Sequence, residues 1–233
     1  MSLYLKIEIL SISLPLLLSF DRKLSFYKMW KTVLPSIFIS GALFIIADII
    51  FLKNGIWGFN PRYLSGVFLI GLPVEEWLFF FIIPYCCLFT HYVFVLYSRG
   101  FALTNTIMRV LSGLIITLLL TVIAFYHDKT YTIVYSVLLV LLIIIALLNK
   151  KHVLNSYYIS FLIILVPFFI VNAILTGTAI EEEIVWYNNS EIIGLRLLSV
   201  PVEDIGYAFS LILLNLLLTE HFREFFTVRA SKK

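Results

Sequence analysis

Long apolar segments separated by short polar loops dominate the chain. A hydropathy window of about 19 residues finds seven segments long enough to cross a membrane as helices. These predicted spans lie near residues 3–20, 32–52, 67–97, 104–126, 131–149, 157–177 and 194–219. The third is longer than one crossing needs, and Pro73 and Pro84 within it predict a kink or a fresh helix start. The pattern predicts an all-α integral membrane protein with about seven transmembrane helices.

The composition supports this fold class. Of 233 residues, 61% are hydrophobic and only 13% are charged, whereas a soluble domain carries about 25% charged residues. The net charge of +3 is too small to mark a nucleic-acid-binding surface. These values exclude a soluble enzyme, a disordered regulator and a nucleic-acid partner, and they make membrane lipid the expected surrounding.

Basic residues predict the orientation, because cytoplasmic loops carry an excess of Lys and Arg. The loops on one side hold twelve of these residues and the loops on the other side hold five. The richer, cytoplasmic set is Arg22, Lys23, Lys28, Lys31, Arg99, Arg109, Lys150, Lys151, Arg223, Arg229, Lys232 and Lys233. We therefore predict a multi-pass protein of the cell membrane whose C-terminus is cytoplasmic.

A tetrapeptide occurs twice in the chain. Pro-Val-Glu-Glu at 73–76 recurs as Pro-Val-Glu-Asp at 201–204, and at the same offset of 128 residues Asn60 matches Asn188. We infer two repeats of three helices each. Because three is an odd number, an extra spacer helix is needed to make the repeats parallel, with a cavity between them. The predicted division is 1–97 for the first repeat, 98–130 for the spacer, 131–223 for the second repeat and 224–233 for a basic tail.

Each tetrapeptide places two adjacent carboxyls at the head of a predicted span. An ionisable residue at the centre of a spanning helix costs about 2.5–3.5 kcal/mol, so these acids need a reason. A structural interpretation is that proline opens the helix and the acids cap its first turn. A functional one is that they line an internal cavity and transfer protons. The two interpretations are compatible, and the candidate catalytic acids are Glu75, Glu76, Glu203 and Asp204.

Asp48 is a further acid within a span, and a constant offset makes Thr176 its counterpart. It is expected either to pair with Lys53 or to orient the first acid motif. Aromatic residues also crowd this motif on both sides. Core packing and an interfacial belt account for most of these rings. A few are expected to face a cavity, where a ring face attracts a cation.

Several membrane chemistries are excluded. A retinal protein needs a lysine in its last span, and residues 194–219 contain none. The four histidines lack the spacing of a di-iron site, and the four aspartates are too scattered for a diphosphate motif. No Gly-x-Gly-x-x-Gly fingerprint supports a flavin or nicotinamide cofactor. Acid–base chemistry on an apolar substrate, with no cofactor, is what remains.

The stretches 55–63, 72–80 and 84–86 resemble the lycopene cyclase domain, a small membrane family whose hallmark is Pro-x-Glu-(Glu/Asp). The hallmark is present twice, and the likeness is stronger in the first repeat. The resemblance implies a lycopene beta-cyclase, an intramolecular lyase that closes the linear ψ-ends of lycopene into β-rings without net redox change. A carboxylic acid would protonate the terminal alkene, and a carboxylate would remove a ring proton.

In this interpretation Glu75 and Glu203 are essential, and Glu76 and Asp204 are their proton partners. The candidate substrate-binding residues are Trp57, Phe59, Asn60, Tyr63, Trp77, Phe79, Phe80, Tyr85 and Asp48. Lycopene or a related linear carotene is the expected substrate, and other enzymes of the carotenoid pathway are candidate partners. Two alternatives stay open: a hydratase of carotenoid ends, in which water captures the cation, and a membrane carrier for a proton or a small cation.

Overall fold

The structure, a computed structural model, describes residues 1–98, 100–149 and 152–230. Seven α-helices lie within these ranges: α1 (Leu3–Leu18), α2 (Trp30–Lys53), α3 (Val74–Tyr97), α4 (Asn105–Phe125), α5 (Thr130–Leu148), α6 (Val153–Leu175) and α7 (Glu203–Ala230). Six of them are long and apolar enough to cross a membrane. The first has 16 residues, which gives a length of about 24 Å and falls short of a hydrocarbon core of about 30 Å. The predicted all-α membrane fold is confirmed.

Part of the sequence used to predict orientation lies outside the described residues, namely Arg99, Lys150, Lys151, Lys232 and Lys233. The cytoplasmic location of the C-terminus stays a prediction. Helix α7 continues through residues 224–230 of the predicted basic tail.

Six short strands, all outside the helices, form three antiparallel pairs in the described part of the chain. They are β1 (Trp57–Phe59) with β4 (Val185–Tyr187), β2 (Phe68–Leu69) with β3 (Leu72–Pro73), and β5 (Arg196–Leu197) with β6 (Val200–Pro201). The β2–β3 and β5–β6 pairs are hairpins. They occupy the predicted starts of the third and seventh spans, respectively. Helices α3 and α7 therefore begin later than predicted, because hydropathy alone does not distinguish a short apolar hairpin from helix.

The two hairpins are equivalent, 128 residues apart. The amide of Val74 donates to the carbonyl of Val67, and the amide of Val202 donates to that of Leu195. The turn of each hairpin places an apolar residue in the left-handed region: Ile70 has a φ of 53° and Leu198 has a φ of 57°. The matching contacts show that the repeated tetrapeptide belongs to a repeated local structure.

The offset of 128 does not hold throughout the chain. At the end of α2 the amide of Gly55 donates to Leu52, and at the end of α6 the amide of Gly177 donates to Ile174, which is an offset of 122. The second half therefore has six additional residues between α6 and β4. Because of this insertion, Thr176 is not the counterpart of Asp48 that a constant offset predicts.

Strands β1 and β4 join the two halves of the molecule. Gly58 lies opposite Trp186 in this pair. Beyond the strands, the amide of Asn60 donates to the carbonyl of Ile184, and the amide of Asn188 donates to that of Ile56, both at 2.9 Å. The two matched asparagines thus flank the junction symmetrically.

Helix packing also connects the halves. Helix α1 packs on α3, and α5 packs on α7, whereas α2 crosses to α7 and α6 crosses to α3. The middle helix of each half therefore packs on the last helix of the other half. Helix α4 lies at the periphery of the molecule, since only 11% of its apolar 18-residue stretch is buried.

The junction provides a stability prediction. A Cβ atom on Gly58 would lie 2.5 Å from a ring carbon of Trp186, so Gly58→Ala should force the strands apart. Overpacking of this kind costs about 1–3 kcal/mol, and we expect a lower thermal midpoint for the purified protein. Gly113→Ala in α4 is the matched control, because that position faces open space and alanine favours helix by about 1 kcal/mol. Equal midpoints for Gly58→Ala and the wild type would contradict the close approach.

Candidate active site

A small polar cavity of about 40 Å³ lies where α3 and α7 begin. Its wall includes Asp48, Glu76 and Asp204, all at most 5% exposed. No lysine, arginine or histidine is among its described lining residues. The space is large enough for water but not for a hydrocarbon ring. Because Glu76 and Asp204 come from the two copies of the tetrapeptide, both copies contribute to one cavity.

Tyrosine hydroxyls donate hydrogen bonds to two of these acids, Glu76 and Asp204. Tyr4 donates to Glu76 at 2.7 Å, and Tyr131 donates to the first oxygen of Asp204 at 2.8 Å. The second oxygen of Asp204 accepts from Tyr187 at 3.0 Å. Burial, and next the adjacent Asp204, raise the pKa of Tyr187, so this hydroxyl stays a neutral donor. Tyr207 lines the same cavity.

Glu75 has a different environment from its neighbour. Its Oε1 accepts from the backbone amide of Ser65 at 2.6 Å and from the hydroxyl of Ser2 at 2.7 Å. Its Oε2 is buried without a hydrogen-bond partner among the described residues. Glu75 thus holds the loop before β2 against the start of α3.

Glu203 repeats this arrangement in the second half. Its Oε1 accepts from the amide of Ile193 at 2.6 Å and from the hydroxyl of Thr132 at 2.7 Å. Its Oε2 is also buried and unpartnered within the described ranges. Glu203 faces a separate apolar cavity of about 620 Å³ between α4, α5, α6 and α7.

Helix geometry explains why adjacent acids separate. Proline precedes each acid pair, and Pro73 has the extended conformation (φ −64°, ψ 148°) from which α3 starts. Successive residues of a helix point about 100° apart. Two neighbouring carboxyls at a helix start therefore face different surroundings: one the preceding loop, the other the cavity.

Among the predicted substrate-binding residues, Asp48, Trp57 and Phe79 line the cavity. The ring of Phe59 packs edge-on against Trp57, with centroids 4.9 Å apart. Tyr63 is half-buried and packs against the hydrophobic cluster that contains Trp57 and Phe79. These five residues form one side of the site or its support.

Asn60 and Trp77 lie away from the cavity and stabilise loops. The side-chain amide of Asn60 donates to Glu182 at 2.9 Å, which links the loops of the two halves. The indole of Trp77 donates to the carbonyl of Leu69 at 3.0 Å and holds the first hairpin on α3.

Phe80 and Tyr85 also lie outside the cavity wall. Phe80 is fully buried and packs against Phe44. The hydroxyl of Tyr85 lies 2.5 Å from that of Ser19, at the end of α1 remote from Tyr4. Both residues follow the first acid motif in sequence, but the helix carries them away from the site.

Sequence reasoning missed most of the hydroxyl donors. Tyr4 and Tyr131 occupy equivalent places near the starts of α1 and α5, at an offset of 127 residues. This near-repetition of a tyrosine was the signal in the sequence that could have identified the two donors.

Asn172 on α6 also lines the cavity and belongs to no sequence motif. Glu8, one turn beyond Tyr4, is 1% exposed, and neither of its oxygens has a partner among the described residues.

In the described ranges, no three His, Cys, Asp or Glu side chains are grouped so that they could hold a metal ion.

The fold and site define a multi-pass membrane protein with a shared, buried carboxyl site. The family model described as lycopene cyclase matches residues 1–94 and 128–222. The chain therefore belongs to the lycopene cyclase family, a family of carotenoid cyclases, and the predicted family is confirmed. The unmatched segment 95–127 contains α4. No curated protein and no solved structure matches the chain.

The position of Glu75 provides a second stability prediction. Glu75→Ala should leave the amide of Ser65 without its acceptor, at a cost of about 1–3 kcal/mol. Glu75→Gln keeps an acceptor oxygen, and we expect a smaller loss. Thermal unfolding of the purified variants in detergent measures the difference. A Glu75→Ala variant as stable as the wild type would contradict the loop-holding role.

Proposed function

We propose that the protein is a lycopene β-cyclase in which Glu76 and Asp204 exchange the protons of the reaction. The observation that carries this proposal is that the two motif acids, one from each half, line a single buried cavity. The family membership supplies the substrate class, a linear carotene. The polar cavity supplies the acid–base groups.

Cyclisation needs a proton donor and a proton acceptor but no net change in protons. A carboxylic acid protonates the terminal alkene of the ψ-end, which produces a tertiary cation. The inner double bond closes the six-membered ring onto this cation, and a carboxylate then removes a ring proton. Three buried carboxyls with no cation among the described lining residues resist joint ionisation, so the cluster of Asp48, Glu76 and Asp204 is suited to hold both a proton and a charge.

The contacts favour a division of roles different from the one expected from the sequence. Glu76 and Asp204 face the cavity and are the proposed proton-transfer groups. One carboxylate oxygen of Glu75 and one of Glu203 accept a hydrogen bond from a loop amide. We assign these two residues to positioning the helix starts that carry Glu76 and Asp204. Trp57 and Phe79 line the same cavity, and we assign their rings to stabilising the cationic intermediate.

The organisation of the chain into two repeats around one site is part of the proposal. Residues 1–97 and 131–223 act together as two repeats around one site, and 98–130 acts as the spacer. A cell-membrane location with a cytoplasmic C-terminus follows from the charge pattern. Interaction with other carotenoid enzymes stays a prediction.

Expression in a lycopene-accumulating host tests the acid assignment. Glu76→Gln and Asp204→Asn remove the titratable proton with little change of shape, and we expect each to lower cyclisation by about 10²–10⁴-fold. Chromatography of the extracted pigments measures the products. Asp128→Asn is the matched control, because this acid lies exposed in a loop beside Lys129.

Full conversion by either cavity variant would contradict the assignment. A hydroxylated acyclic product from the wild type would make the protein a hydratase. Proton or cation flux in proteoliposomes, without any pigment change, would favour the carrier.

A single cavity also predicts the order of products. Since Glu76 and Asp204 serve one site, the two ends of a linear carotene must react in separate binding events. We expect a monocyclic carotene to rise first and a bicyclic one to follow in a time course with purified protein. A bicyclic product that appears from the start without the monocyclic one would contradict a single site.

A further inference from the structure

The acid cavity is too small to hold the substrate by itself. Its volume is about 40 Å³, whereas an apolar cavity of about 150 Å³ is needed for a ring the size of benzene. A carotene end must therefore reach the acids from a larger adjoining space. Two larger cavities border the helices that carry the site.

One of them lies between α1, α3 and α6 and has a volume of about 290 Å³. Phe79 and Asn172 line both this cavity and the acid cavity. On its outer side it is bordered by Leu10 and Leu14, which are 77% and 63% exposed on α1. The cavity thus extends from the apolar outer surface of α1 to the wall of the acid site.

Three polar side chains in its wall already donate to backbone carbonyls. The hydroxyl of Ser11 donates to its own helix at Ile7, and that of Thr90 donates to Cys86. The thiol of Cys86 lies 3.4 Å from the carbonyl of Ser11. Apart from Asn172, at the end shared with the acid cavity, the wall is mostly apolar and suits a ligand without polar groups.

The other cavity, at 620 Å³, is larger but separate. It has no lining residue in common with the acid cavity among the described residues. A chain lying there would reach Glu203 but not the shared site of Glu76 and Asp204. Size alone favours this cavity, whereas continuity with the acids favours the smaller one.

We propose that the cavity between α1, α3 and α6 binds the polyene chain of the linear carotene. The chain enters from the lipid side past α1, and its end passes Phe79 and Asn172 to reach Glu76 and Asp204. This inference rests on the proposed cyclase function. It adds the binding site for the unreactive part of the substrate, an unsubstituted hydrocarbon chain.

Two variants on the same helix compare the cavities. Val171 and Ile159 are both half-buried on α6, and they line the smaller and the larger cavity respectively. Val171→Trp should fill the proposed site, and Ile159→Trp should fill the other. Each is introduced into the wild type and into Glu76→Gln, whose carboxamide prevents turnover but leaves the cavity between α1, α3 and α6 unchanged.

The first readout is the lycopene that co-purifies with the Glu76→Gln protein, measured by its visible absorbance. The second is the cyclic product formed by the wild-type background. We expect Val171→Trp to lower both by about tenfold or more and Ile159→Trp to leave both unchanged. Retention of lycopene by Val171→Trp, or its loss in Ile159→Trp alone, would overturn the assignment of the cavity. So would a Glu76→Gln protein that purifies with lipid and no lycopene.

Ser11→Phe narrows the same cavity from α1 and decides the question if Val171→Trp does not fold. Thermal midpoints identify folded variants. The two proposals fail in different ways. If lycopene binding depends on Val171 but the wild type forms no cyclic product, the cyclase mechanism is wrong and the polyene site stands. If the wild type cyclises lycopene, and Val171→Trp and Ser11→Phe still do so, the polyene site is wrong and the cyclase stands.

Discussion

The need to bury carboxyls in a chain with few charges shapes this molecule more than any other constraint. A buried carboxyl is costly unless it is hydrogen-bonded or paired. Here the donors to the two motif pairs are neutral phenols, hydroxyls and loop amides, and no basic residue is among the described groups that line the acid cavity. A neutral donor stabilises a carboxyl without cancelling its charge permanently, as a lysine or arginine would. Such donors are compatible with the proton transfer that we propose for Glu76 and Asp204.

The same constraint explains why the acids occur in adjacent pairs. The first acid of each pair holds a loop by accepting a hydrogen bond from a loop amide. This amide is that of Ser65 in one half and that of Ile193 in the other. This contact keeps the start of the helix in place and directs the second acid inward. The strand pair between the halves then brings both second acids to one cavity. The contacts fit a structural role for the first acid of each pair, and the chemical role that we propose belongs to the second.

Much of this arrangement could be predicted from the sequence. Hydropathy located the helices because a spanning segment must be continuously apolar, and the recurring tetrapeptide identified the two halves. Hydropathy placed the starts of the third and seventh spans too early, because the hairpins there are as apolar as the helices, whereas the proline of each tetrapeptide did indicate a helix start. The partners of the acids were missed for another reason. Tyr4 and Tyr131 are distant in sequence from Glu76 and Asp204, and only the packing of α1 on α3 and of α5 on α7 brings them together.

The contact between Gly58 and Trp186 has a consequence for how the halves recognise each other. These residues occupy the same place in the two repeats and face each other across the junction. Two copies of the first half would place glycine against glycine and leave a hole, whereas two copies of the second half would drive one indole into the other. Only unlike halves fill the space. The junction thus disfavours the pairing of like halves and selects the mixed partner.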